Sequence, residues 1–213
     1  MTILEFPASL KVTGHSLTAD QNAGQSILPF SGTVQRLAPT FERFRGVWSF
    51  RPPKREDSPE VEAFFLRING GAALFRTEAF QPARNSLNLS GTVSGAHAAR
   101  VGEVALTGLP VNRSIVAGEW LQIGWQAARV LETTHTNASG AASVKIFPFL
   151  HDDLAGGETV RVGRWVKILW RLTGEPVAWS YGQSRHNALD VSLEAVQEIV
   201  TASHELASEE VPP

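Results

Sequence analysis

Along most of the chain apolar residues recur at every second position, in short runs broken by Gly, Pro, Asn and Ser. That period marks strands with one buried face. Residues 3–6 and 10–12 read as short strands, and 13–30 as a long connecting arm. Ser31-Gly32 signals a turn into a strand over 33–37. A further strand over 47–51 puts Trp48 and Phe50 on one face and ends at Pro52-Pro53.

The period then changes once. Val61, Phe64, Phe65 and Ile68 stand at i, i+3, i+4 and i+7, the stripe of an amphipathic helix. Asp57 and Glu60 have capping-box spacing, Pro59 falls in the first turn where its missing N–H costs nothing, and Gly70-Gly71 supply a stop. Residues 73–76 return to a strand pattern.

Residues 81–100 turn small and polar, which marks a crossing between domains. Five short strands follow, over 103–106, 120–123, 127–132, 143–147 and 158–162, with Asn137-Ala138-Ser139-Gly140 as the turn before the fourth. Five strands in so few residues predict a small antiparallel barrel or sandwich. Beyond Gly163, residues 165–172 alternate again. Gly174-Glu175-Pro176 is a turn, and 177–181 is expected to pair back as a hairpin. Leu189, Val191, Leu193 and Ala195 keep period two, although 194–199 also suits a helix. The acidic end, ASHELASEEVPP, reads as a frayed tail.

Composition narrows the function classes. With 213 residues and 43% apolar content, the chain can bury one large core or two small ones. A net charge of −2 argues against binding driven by phosphate neutralisation. The local run Arg36, Arg43, Arg45, Arg51, Lys54 and Arg55 reads as a solvated or subunit-interface surface. The absence of cysteine removes disulfides, thiolate metal sites and a thiol nucleophile. No leader and no membrane span is expected from the sequence.

The search for chemistry finds little. The histidines (His15, His97, His135, His151, His186 and His204) lack metal-ligand spacing. His151-Asp152-Asp153 is the nearest to a cluster and reads as a polar turn. GxSxG, Walker A and GxGxxG patterns are missing. We therefore expect no enzyme activity, no metal and no cofactor. Six tryptophans against one tyrosine call for core or interface anchors. A second reading is a carbohydrate-binding module for host adhesion, with Trp120 and Trp125 as stacking residues. A single-stranded nucleic-acid barrel ranks below both, because 87–163 is not notably basic.

One series in mid-chain carries a resemblance. Val116–Gly124 is followed by Ala128-Arg129-Val130-Leu131, by Asn137-Ala138-Ser139-Gly140, and by 142–146 with Phe147-Pro148. With Phe6-Pro7, the 31–35 stretch, Val47-Trp48 and the aromatic helix, this resembles the distal tail proteins of long-tailed bacteriophages over about residues 3–172. The longer acidic tail departs from that pattern. The resemblance implies a mainly β fold with one helix: a β-sandwich belt domain, residues 1–86 and 164–213, and an inserted antiparallel β-barrel of the oligonucleotide/oligosaccharide-binding type, residues 87–163. It implies a ring, commonly a hexamer, at the junction of tail tube and tail tip or baseplate. Its neighbours would be the tail tube protein and the hub or tape-measure proteins. DNA would pass only as cargo, and the location would be the virion, with assembly in the host cytoplasm.

Overall fold

A computed structural model describes residues 3–7, 9–21, 25–27, 34–36, 42–50, 57–69, 73–79, 88–173, 179–181 and 189–198. Described residues form seventeen strands and one helix. Before the helix come β1 (Ile3–Glu5), β2 (Val12–Gln21), β3 (Gln25–Ile27), β4 (Val34–Arg36) and β5 (Glu42–Phe50). Helix α1 (Ser58–Ile68) and β6 (Leu74–Glu78) follow. Next are β7 (Leu89–Val93), β8 (Glu103–Thr107), β9 (Ser114–Ile115), β10 (Trp120–Ile123), β11 (Gln126–Val130), β12 (Thr134–His135), β13 (Ala142–Phe147) and β14 (Thr159–Val162). The last are β15 (Lys167–Leu172), β16 (Trp179–Tyr181) and β17 (Leu189–Gln197).

Two assemblies result. A seven-stranded sheet has the order β1-β6-β15-β17-β5-β2, with β16 also on β17. Six antiparallel strands, β10-β11-β13-β8-β7-β14, close into a barrel. All barrel strands lie between Leu89 and Val162, and the strands of the large sheet lie on either side of them in sequence.

The sheet's inner face follows from period two. On β5, Phe44, Trp48 and Phe50 are buried while Arg45, Val47 and Ser49 are exposed. Leu193 pairs with Trp48 and Ala195 with Gly46, so both join that face. Trp48 meets Trp170 edge-on, with centroids 4.7 Å apart, and the Trp170 indole N–H donates to Thr77 Oγ1 at 2.9 Å. The stripe of α1 (Val61, Phe64, Phe65 and Ile68) covers one end of this face. The other end is covered by the barrel's own outer wall: Trp120, Ala127 and Phe147 share the core with Phe44. Phe44 lies 5.1 Å from Trp120 and 5.4 Å from Phe147, centroid to centroid. Inside the barrel each strand supplies a pair of apolar residues, such as Leu121 and Ile123 on β10 and Val160 and Val162 on β14.

Several expectations need correction. The stretch read as an arm contains β2, ten residues long and paired to β5 along its length. Its side chains are mostly exposed or half-buried because it is a sheet edge, so its apolar alternation is faint. The expected domain crossing includes β7, the sixth barrel strand; its small LSGTV sequence lets Gly91 pass close to Thr107 and Leu109. Strand β16 does not pair back on residues 165–172. It pairs with Leu189–Val191 of β17, on the side of β17 that β15 occupies farther along. The capping box does not form: Asp57 is the N-cap without a side-chain cap bond, and Glu60 accepts from the Ser9 hydroxyl at 2.8 Å. Asn69 is the C-cap, and Gly70-Gly71 lie outside the described residues. Residues 194–197 are strand, not helix. The acidic tail from residue 199 also lies outside the described residues.

Candidate functional site

The tryptophans singled out for sugar stacking are placed differently. Trp120 is 1% exposed, its ring packed on Phe44 and overlain by the Arg129 guanidinium 4.2 Å from the centroid. It offers no face to a ligand. Trp125 is half-buried in the two-residue turn between β10 and β11, where Gly124 takes a left-handed φ of 54°. Among the tryptophans whose burial is described, Trp165 faces outward, 52% exposed.

Trp165 belongs to the connector from barrel to sheet, and the connector is pinned at both ends. The Gly163 N–H donates to the Trp120 carbonyl at 2.9 Å, and Arg164 N–H donates to Asn88 Oδ1 at 2.9 Å. The Val166 side chain is fully buried, and its carbonyl accepts from Ala79 N–H at 2.9 Å. Gly163 and Val166 are both buried, and Arg164 and Trp165 form the exposed tip of the turn between them.

Beside it is an open cavity of about 390 Å³, lined by Glu78, Ser90, Thr159, Arg161, Arg164, Trp165 and Lys167. Ser90 and Arg161 are register partners in the barrel wall, and Glu78 and Lys167 are partners in the sheet. Two rigid elements therefore meet at this cavity. Three cations against one carboxylate make its lining basic, although Lys167 Nζ also lies 3.5 Å from Glu5 Oε1. The sequence carried Trp165 only as one of six tryptophans; its exposure follows from a connector pinned by non-local bonds, which no local pattern reports.

The remaining polar candidates are engaged structurally. His151 Nε2 is 3.0 Å from the Glu42 carbonyl, and burial pushes its imidazole below the ordinary pKa, opposed by that bond and by the Asp152 charge. Asp153 accepts from Ala99 N–H at 2.7 Å. Among the described residues no group of three or more His, Cys, Asp or Glu could hold a metal ion. Of the basic run, Arg43 and Arg45 pair with Asp20 at 3.5 and 3.6 Å, and Arg45 also pairs with Glu194 at 3.1 Å. Arg51, Lys54 and Arg55 lie outside the described residues, and Arg36 is described only as part of β4. Among the described residues no helix is long and apolar enough to cross a membrane.

One feature bears on assembly. The large sheet has open edges on both sides, since β1 has only β6 as a partner and β2 only β5 among the described residues. Strands β3 and β4 form a separate antiparallel pair, with Gln25 opposite Arg36 and Ile27 opposite Val34. No family model matches the sequence, and no curated protein is significantly similar to it.

Proposed function

We propose that the chain is a structural ring component of a phage tail tip, of the distal-tail type, with no catalytic step of its own. The observation that supports this best is that, among the described residues, β1 and β2 leave the two opposite edges of one sheet without a partner strand. An unpaired strand edge is a template for another chain. Two different edges on one subunit suit a head-to-tail contact, and head-to-tail contacts generate a closed ring when their rotation closes. In this reading the large sheet is the belt, built as the sandwich-type ring unit, and the barrel is the oligonucleotide/oligosaccharide-type insertion on its periphery. The tail tube protein lies on one side of the ring, the hub or tape-measure proteins on the other, and DNA passes through without specific contacts.

Size-exclusion chromatography with light scattering, followed by negative-stain imaging, tests the proposal. Closed rings of uniform stoichiometry are the expected result. A strict monomer at high concentration that also fails to appear in tail particles assembled with its gene neighbours refutes it.

A further inference from the structure

We infer that the cavity between barrel and sheet binds an anionic saccharide, with a sugar ring on Trp165 and its carboxylate among Arg161, Arg164 and Lys167. A lone exposed tryptophan is ordinary on a protein surface; this one differs in lining a cavity together with three cationic side chains, where its flat face is open to a ligand. Trp165 is at 52% exposure while Trp48, Trp120 and Trp170 are at 1% or less. The apolar C–H face of a pyranose matches an indole in size, and the cavity, about 390 Å³, is in the range that holds a small ligand.

The polar lining selects among such ligands. Arginine forks grip carboxylates through paired N–H donors, which favours a uronic or sialic type of sugar over a neutral one. Ser90, Thr159 and Glu78 provide hydroxyl and carboxylate partners for sugar hydroxyls. A nucleic-acid strand fits less well. It needs a basic track several phosphates long, whereas this lining includes Glu78 and has Glu5 beside Lys167. The site is also preorganised: its residues sit on paired strands and on the connector held at Gly163, Arg164 and Val166. This inference is independent of the ring proposal, and either can fail without the other.

The test titrates the full chain with oligogalacturonate, a neutral oligosaccharide of equal length, an oligothymidylate and inorganic phosphate. The six indole N–H signals are followed by NMR, with W165F assigning that of Trp165. Oligogalacturonate should shift the Trp165 signal and leave buried Trp120 unmoved. W165A and R164Q, both at exposed positions, should each weaken binding about tenfold while leaving the melting temperature near wild type. The neutral sugar should bind more weakly. The inference fails if the Trp165 signal does not move at about 10 mM uronate, or if both variants bind like wild type. It fails equally if the oligothymidylate or phosphate alone binds as tightly as the uronate.

Discussion

Gln197 offers a direct measure of how firmly the barrel is joined to the sheet. Among the described residues it is one of four buried polar or charged ones, 2% exposed, at the end of β17. Its Nε2 donates to the Ala127 carbonyl of the barrel at 2.6 Å, and its Oε1 accepts from the Phe44 N–H of β5 at 3.3 Å. One amide thus bridges three strands from both assemblies. Replacing it with alanine strands a buried carbonyl and weakens the satisfaction of a buried N–H. Each such group costs about 1–3 kcal/mol, and the lost packing adds to it, so Gln197→Ala should cost about 2–5 kcal/mol. In a chain of this size that lowers the melting temperature by roughly 5–15 °C. Gln197→Met keeps the volume and isolates the polar loss, so it should cost about 2–4 kcal/mol. Denaturant titration with matched m-values, together with hydrogen exchange at the Phe44 amide, reads both effects. If both variants fall within about 0.5 kcal/mol of wild type, the clasp contributes nothing and the reasoning is wrong.

Gly46→Ala should destabilise by about 1–3 kcal/mol, because a Cβ there would come within 2.7 Å of Trp48 Cζ2 and closer still to its Cη2; thermal unfolding by circular dichroism checks it. Glu119 is buried, and that burial raises its carboxyl pKa above the ordinary value, opposed by the N–H of Val116 that it accepts at 3.0 Å. A raised folded-state pKa contributes stability that is present below the unfolded value and lost as pH rises through the folded one. Glu119→Gln lacks that loss, so its melting temperature relative to wild type should climb as pH rises from the ordinary carboxylate range through the raised folded-state value; a flat difference contradicts the assignment.

Legibility in the sequence followed locality. Strands β10, β11, β13 and β14, the second half of β5 and helix α1 were readable because an apolar period is written locally, in residues such as Trp48, Val144 and Phe64; the first half of β5, from Glu42 to Gly46, was missed, since Arg43 and Arg45 flank its one large apolar residue, Phe44. Strand β2 was not, since an edge strand with Thr13, Ser16 and Thr18 facing water carries little apolar contrast. Strand β7 was hidden by small residues that a tight barrel requires. On β15, Ile168, Leu169 and Trp170 are all buried, so the alternation read over 165–172 does not translate into one buried and one exposed face on this central strand. The cavity was illegible for a stronger reason. Glu78, Ser90, Arg161 and Lys167 are brought together by pairing between distant strands, and only the closed barrel and its pinned connector create the space.

The shared core changes what an inserted barrel means here. A unit joined by two connectors alone would be free to turn, and its outer residues would be chosen for water. On β13 and β8 the outward positions are of that kind: Ser143, Lys145 and Glu103 are exposed and polar. On the wall that meets the sheet, Trp120, Ala127 and Phe147 are apolar and join Phe44 in one cluster. The wall is fastened by polar contacts as well: Gln197 to Ala127, Lys167 N–H to Gln122 Oε1 at 3.0 Å, and Phe149 N–H to Glu42 Oε2 at 3.1 Å. Without the barrel, the Phe44 end of the sheet's inner face would lose Trp120 and Phe147, the aromatic rings packed on it. The barrel is therefore the second layer of the sheet's own core as well as a unit with a core of its own. In a ring built from these sheets, that packing fixes the direction in which every barrel points. Each junction cavity, made half by the barrel and half by the sheet, would then be repeated around the ring at one orientation, the arrangement that turns weak single-site binding into avidity.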